Sequence, residues 1–217
     1  MATTTHGSLA AAAASHLARG GNVIPISRGG AAEIRSQSQQ LLDWATTQGC
    51  VIDYIPPSDA RRSGGAEHDV FFHKNHGRVF KRTKPNSFGS IKTEIGIRKT
   101  ATPYFYLKRL EWTNEVFGSD LKLEGVINKD GISVLISQPW AYPADPKNPL
   151  PADEEIFDFM KNMEFEAVRS SYHEWFRASD SFHACDARPD NFIKSQQGVI
   201  PIDLIVSKIP DFQPRGS

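Results

Sequence analysis

The sequence predicts an α+β protein of two lobes, and three observations point there. The first half is strand-rich with one inserted helix, the second half is helical with a small sheet near its end, and the proline-rich run "AYPADPKNPLP" separates them. Few contacts cross such a joint, so the order implies two lobes with a cleft between them. Of the 217 residues, 39% are hydrophobic and 23% charged, which suits one domain or two small lobes with a real core. Lys+Arg and Asp+Glu are both 25, so no broad electrostatic footprint for nucleic acid is expected.

Residues 1–35 are small, polar and glycine-rich and are expected to form a mobile tail, with a frayed helix at Leu9–Leu17. No basic residue precedes the alanine tract, so a secretory leader is not expected. No run approaches the length of a membrane span. Cys50 and Cys185 stand far apart without clustered histidines and are expected as free thiols. A cytoplasmic location and no membrane partner follow as expectations.

The first lobe is expected over residues 36–140. A helix begins near Ala31 and ends at Gly49, with Ile34, Leu41, Leu42 and Ala45 on one face. "CVIDYI" reads as a short strand and "PPSDARRSGGAEH" as a loop. "DVFFH" and "RVFKRT" form a hairpin turning at Asn75–Gly77. A helix starts at Thr102–Pro103 and stops at Gly118. "DLKLEGVI" and "GISVLISQPW" are strands joined by "NKDG". The second lobe, residues 141–217, holds a helix in "ADEEIFDFMKNM" with acids in its first turn. "EFEAVRSSYHEWFRAS" reads as strand then helix. Short strands follow at Phe182–Cys185, Asn191–Ile193 and Val199–Leu204.

The chemistry concentrates in "FHACDARPDNFIKSQQGVIPIDLI", which sets Asp186, Asn191 and Asp203 next to strand-like sequence. Carboxylates and amides are poor strand formers and costly to bury. Taken alone, Asp186 fits a turn that caps its own backbone, and Asn191 fits the end of that turn. Together with Asp203 they fit phosphoryl transfer, which needs a carboxylate to place a hydroxyl and hard oxygen donors for Mg2+. Asp203, a lone acid in "VIPIDLIV", is expected to be a metal ligand because burying it without a partner is costly; the alternative is an edge-strand Asp facing water.

Asp186-Ala-Arg-Pro-Asp-Asn191 resembles the catalytic loop of protein kinases, H-R-D-L-x-x-x-N, in its Asp-to-Asn spacing. Asp203 stands where the Asp of D-F-G would fall, and "GRVFKRT" resembles the strand that carries the ATP lysine. "DARPDNF…PIDLI" and "YLxRLxxxNxxFG" are similar to the kinase-like domain of polyvalent proteins from phages and mobile elements, over roughly residues 50 to 206. The resemblance implies a protein-kinase-like fold: an N-lobe antiparallel sheet with one inserted helix, and a reduced helical C-lobe.

It also implies ATP and Mg2+ as cofactors and phosphate transfer to an acceptor, a protein or a small molecule. Asp186 would orient the acceptor and Arg188 would face the γ-phosphate. Asn191 and Asp203 would hold metal, and Lys81 would hold the α- and β-phosphates. Glu111, Glu115 or Glu94 would pair with Lys81. Gly64 and Gly65 would cover the phosphates, and Gln138 lies in the hinge at Ile136–Trp140 that would meet adenine. The sequence departs from the pattern in having Ala184 at the HRD histidine with His183 one place earlier, no Gly after Asp203, and no G-x-G-x-x-G. The helices that bind peptides in larger kinases do not follow Asp203. A nucleotide-binding regulator without catalysis, or transfer of AMP on the same fold, are the alternatives.

Overall fold

The computed structural model describes residues 6–19, 30–53, 60–62, 65–73, 77–94, 97–168 and 173–209. The chain divides into two compact units, one of Met1–Ile91 with Lys99–Trp140, the other of Lys92–Arg98 with Ala141–Ser217.

In chain order the first unit opens with helices α1 (His6–Arg19) and α2 (Ala31–Gln48), then strands β1 (Ala60–Arg62), β2 (His68–His73) and β3 (Arg78–Thr83). A hairpin, β4 (Ser90–Glu94) and β5 (Ile97–Thr100), belongs partly to each unit. Helix α3 (Pro103–Phe117) and strands β6 (Lys122–Asn128) and β7 (Ile132–Pro139) complete the first unit. Its five-stranded sheet runs β1-β2-β3-β7-β6, every described pairing antiparallel.

Helix α3 forms where its punctuation demands it. The Thr102 hydroxyl accepts from Phe105 N–H, Pro103 opens the first turn and Gly118 closes the helix in the left-handed region. Tyr106, Leu107 and Leu110 face the core. Against α3 and α2 packs α1, in the stretch expected to be a mobile tail. Ala10, Ala13, Ala14 and Leu17 are buried there, because alanine lets helices approach closely. Composition suggested a tail, and packing of small side chains overrides it.

Two further differences have local causes. "CVIDYI" contributes a single parallel bridge, Val51 to Val126, and residues 54–59 lie outside those described. At the bridge a Cβ on Gly125 would stand 2.4 Å from the Cys50 carbonyl, so only glycine admits that approach. The hairpin β4–β5 was not expected, while the Asn75 turn of the β2–β3 hairpin is outside the described residues.

The second unit contains helix α4 (Asp153–Asn162) and strands β8 (Glu166–Ala167), β9 (Glu174–Arg177), β10 (Phe182–Cys185), β11 (Phe192–Ser195), β12 (Gly198–Pro201) and β13 (Ile205–Lys208). Glu155 accepts from Ala152 N–H at 2.9 Å and caps α4. The four-stranded sheet runs β13-β10-β9-β8, with β11–β12 a separate hairpin. The later part of "EFEAVRSSYHEWFRAS", expected as helix, contains strand β9: Trp175 and Phe176 are buried, and β8 and β10 pair with it on either side. Among the described residues this unit therefore has one α-helix and more sheet than the sequence suggests. The whole is a mixed α+β protein with four α-helices and antiparallel sheets among the described residues.

A buried ion pair braces the first unit. Arg109 on α3 is 5% exposed, pairs with Glu67, and donates to the Ser90 carbonyl at 3.2 Å. Gly89, at φ +69, leaves the space that the Glu67 carboxylate fills: an added Cβ would lie 2.0 Å from Glu67 Cδ. Gly89→Ala should expel the carboxylate from Arg109 and cost about 3 kcal/mol, measured by urea unfolding. A loss under about 0.5 kcal/mol would show that the pair braces nothing.

Candidate active site

Strand β10 delivers Asp186. Phe182, His183, Ala184 and Cys185 are all buried between β9 and β13. Asp186 then leaves the sheet at φ +64, a left-handed conformation that Asp tolerates better than most residues. That turn faces its side chain out, 29% exposed. The following bonds close a tight loop: Ala187 N–H to the His173 carbonyl at 3.1 Å, Arg188 N–H to the Asp186 carbonyl at 2.8 Å, and Asn191 N–H to the Arg188 carbonyl at 2.9 Å. Pro189–Asn191 make one 3-10 turn.

Asn191 locks this loop to the next one. Its side chain is buried, and Nδ2 donates to the Asp186 carbonyl at 2.7 Å. Its own carbonyl accepts from Ile202 N–H at 2.8 Å. Asp203 follows Ile202 directly, so one asparagine ties both acids to the same place. The sequence argument for Asp203 assumed burial, and this is corrected: Asp203 is exposed. The expected strand Val199–Leu204 ends at Pro201, and the chain bends at Ile202–Asp203 before β13. Exposure keeps the cost of desolvating this carboxylate small.

Arg188 is half-exposed, with Nε 3.1 Å from Asp186 Oδ1 and an Nη 3.5 Å from Asp190 Oδ2. Asp186, Arg188, Asn191 and Asp203 thus all lie in the second unit, three of them on one loop and Asp203 on the bend bonded to it.

The first unit holds the other predicted residues. Lys81 is buried on β3 on the same face as Val79 and Thr83, as period-two alternation predicts. Gln138 is 8% exposed on β7, opposite Val79. Strand β6 pairs with β7 only as far as Ser137, so Gln138 has a strand neighbour on the β3 side alone. Glu111 on α3 takes Lys108 as its ion partner, and Glu115 is exposed. The Glu94 side chain and Gly64 lie outside the described residues. Gly65 is exposed, with open space where a Cβ would be. Among the described residues no three His, Cys, Asp or Glu cluster as a metal cage. No described helix is long and apolar enough to cross a membrane. Cys50 and Cys185 are free thiols, and burial pushes Cys185 up to about 12.

The sequence reading missed the charges behind Asp186. Lys92 Nζ lies 2.6 Å from Glu174 Oε1, and His183 Nε2 lies 3.4 Å from Glu174 Oε2, all three side chains nearly buried. Burial raises Glu174, but Lys92 and His183 outweigh it and hold the carboxyl below its usual range. Burial lowers His183 to about 4, against the pull of Glu174. In sequence the three residues lie apart, in strands "SIKTE", "EWFR" and "FHAC", with nothing local to pair them.

A neutral buried histidine makes a pH prediction. Between pH 6.5 and about 4 the unfolded chain binds a proton that folded His183 refuses, so stability falls as pH falls. Glu174, depressed in the fold, adds loss in the same direction at lower pH. Unfolding free energy should drop by about 2 kcal/mol from pH 7 to pH 5. His183→Phe should flatten that slope, and an unchanged slope in this variant would contradict a neutral buried His183.

Residues 35–209 match the family described as "Serine/Threonine/Tyrosine Kinase found in polyvalent proteins". No curated protein matches the chain. The match spans most of the sequence, from helix α2 through strand β13, and includes both acids and the asparagine that ties them. The chain belongs to the kinase family of polyvalent proteins.

Proposed function

We propose that the chain transfers the γ-phosphate of ATP to a hydroxyl acceptor with the help of Mg2+, through the Asp186 loop and Asp203. The observation that carries this reading is the Asn191 tie. With Nδ2 committed to the Asp186 carbonyl, its Oδ1 is left as a hard oxygen donor, on the residue whose backbone carbonyl holds the bend that carries Asp203. Mg2+ takes one or two protein oxygens and fills its shell with phosphates and waters, so an exposed carboxylate and one amide oxygen suit it. Asn191 and Asp203 would hold the ion, which supplies charge neutralisation on the phosphate oxygens.

Asp186 has the other role. Its side chain leaves a rigid loop, so it can hold the acceptor hydroxyl and take its proton as the oxygen bonds to phosphorus. Among the described residues Arg188 is held by half-exposed ion pairs, which are worth little, so it can turn to the phosphate. Lys81 would meet the other phosphates, and the β7 end at Gln138 would meet the base. The acceptor would be a hydroxyl of a protein or a small molecule, and the site of action the cytoplasm.

Labelled ATP tests the assignment. Asp186→Ala and Asp203→Ala should each lower transfer of γ-label by about a hundredfold or more while melting as the wild type does. Retained transfer in both variants would remove the residue assignment. Label transferred from the α-position instead of the γ-position would replace phosphate transfer with AMP transfer.

A further inference from the structure

Among the described residues, one charged group outside the loop faces Asp186. Arg98, on β5, places an Nη 3.5 Å from Asp186 Oδ2, while Arg188 approaches Oδ1. Each carboxylate oxygen therefore has its own guanidinium. An exposed arginine usually holds such a place weakly, and Arg98 is 50% exposed. The hairpin that carries it is anchored, however. Lys92, on β4, is 9% exposed at its side chain and pairs with Glu174 of β9. Its backbone N–H donates to Ser207 Oγ of β13 at 3.3 Å. Strands β9 and β13 are the two neighbours of β10, with Glu174 opposite Cys185 and Ser207 opposite His183. Lys92 thus grips both flanks of the strand that delivers Asp186, and Glu174 stands opposite the residue just before it.

We infer that Arg98 is a positioning residue of the phosphotransfer site, held at Asp186 by the Lys92 anchor; the inference rests on the phosphotransfer reading above. Arg98 keeps Oδ2, so Oδ1 is the oxygen that becomes available to an acceptor hydroxyl once Arg188 turns to the phosphate. A carboxylate pinned at one oxygen presents the other in a constant orientation, and orientation acts on the chemical step. Loss of Arg98 should therefore lower kcat and leave KM for ATP nearly unchanged, whereas loss of a phosphate contact would raise KM.

The test uses the full chain, γ-labelled ATP, and a random mixture of serine, threonine and tyrosine peptides as the probe acceptor, with release to water followed in parallel. Arg98→Gln should lower kcat about tenfold with KM for ATP within about twofold, and Arg98→Lys should restore most of the loss. Lys92→Met should cost little further kcat in the Arg98→Gln background, since both act through one contact. Arg98 is exposed, so its variants remain informative even if Lys92→Met does not fold. Turnover that needs Asp186 but is unchanged in Arg98→Gln, or a raised KM with unchanged kcat, would overturn the inference and leave phosphotransfer standing. A wild type with no turnover would overturn both.

Discussion

The second unit's candidate site depends on one amide. Asn191 donates its side-chain N–H to the Asp186 carbonyl and accepts Ile202 N–H at its own carbonyl. Because the side chain is buried, that bond is expensive to leave unmade. It fixes the Asp186 carbonyl, while the Asn191 backbone carbonyl brings the Asp203 bend alongside. Neither acid needs burial to be placed. Asp186 is 29% exposed and Asp203 is exposed.

Buried charge does the supporting work in both units. Arg109 with Glu67 and Lys92 with Glu174 are ion pairs whose attraction offsets the cost of leaving water only because each is closely matched. In the first unit Gly89 makes the room, and the pair joins α3 to the chain entering the β4–β5 hairpin. In the second, Lys92 ties that hairpin to the strands on either side of β10. His183 sits in the same cluster and is kept neutral by burial. The histidine one place before the HRD position is thus packed against Glu174 beneath the loop.

Local chemistry made part of this legible from sequence. Helix α3 announced itself through Thr102, Pro103 and Gly118, each of which has a terminus role that depends on near neighbours only. The β2–β3 hairpin and the inward face of Lys81 followed from alternation. The Asp-to-Asn spacing of the loop pointed to kinase chemistry, and the family match agrees. What stayed hidden depends on distant partners. Asp203 lies in an apolar run that suggests burial, but the bond from Ile202 to Asn191 bends the chain there. "EWFR" has no strand alternation of its own and becomes β9 because β8 and β10 flank it. Arg98 and Lys92 gain meaning only from Asp186 and Glu174, far along the chain.

The most direct test of the account is a thermal melt with a non-hydrolysable ATP analogue, with and without Mg2+, on the wild type and Asp203→Ala. A ligand at a hundred times its dissociation constant stabilises by roughly 2.7 kcal/mol, several degrees for a chain of this size. The account predicts a Mg2+-dependent upward shift in the wild type that Asp203→Ala loses. An absence of any shift in the wild type, or a full shift retained in Asp203→Ala, would contradict it.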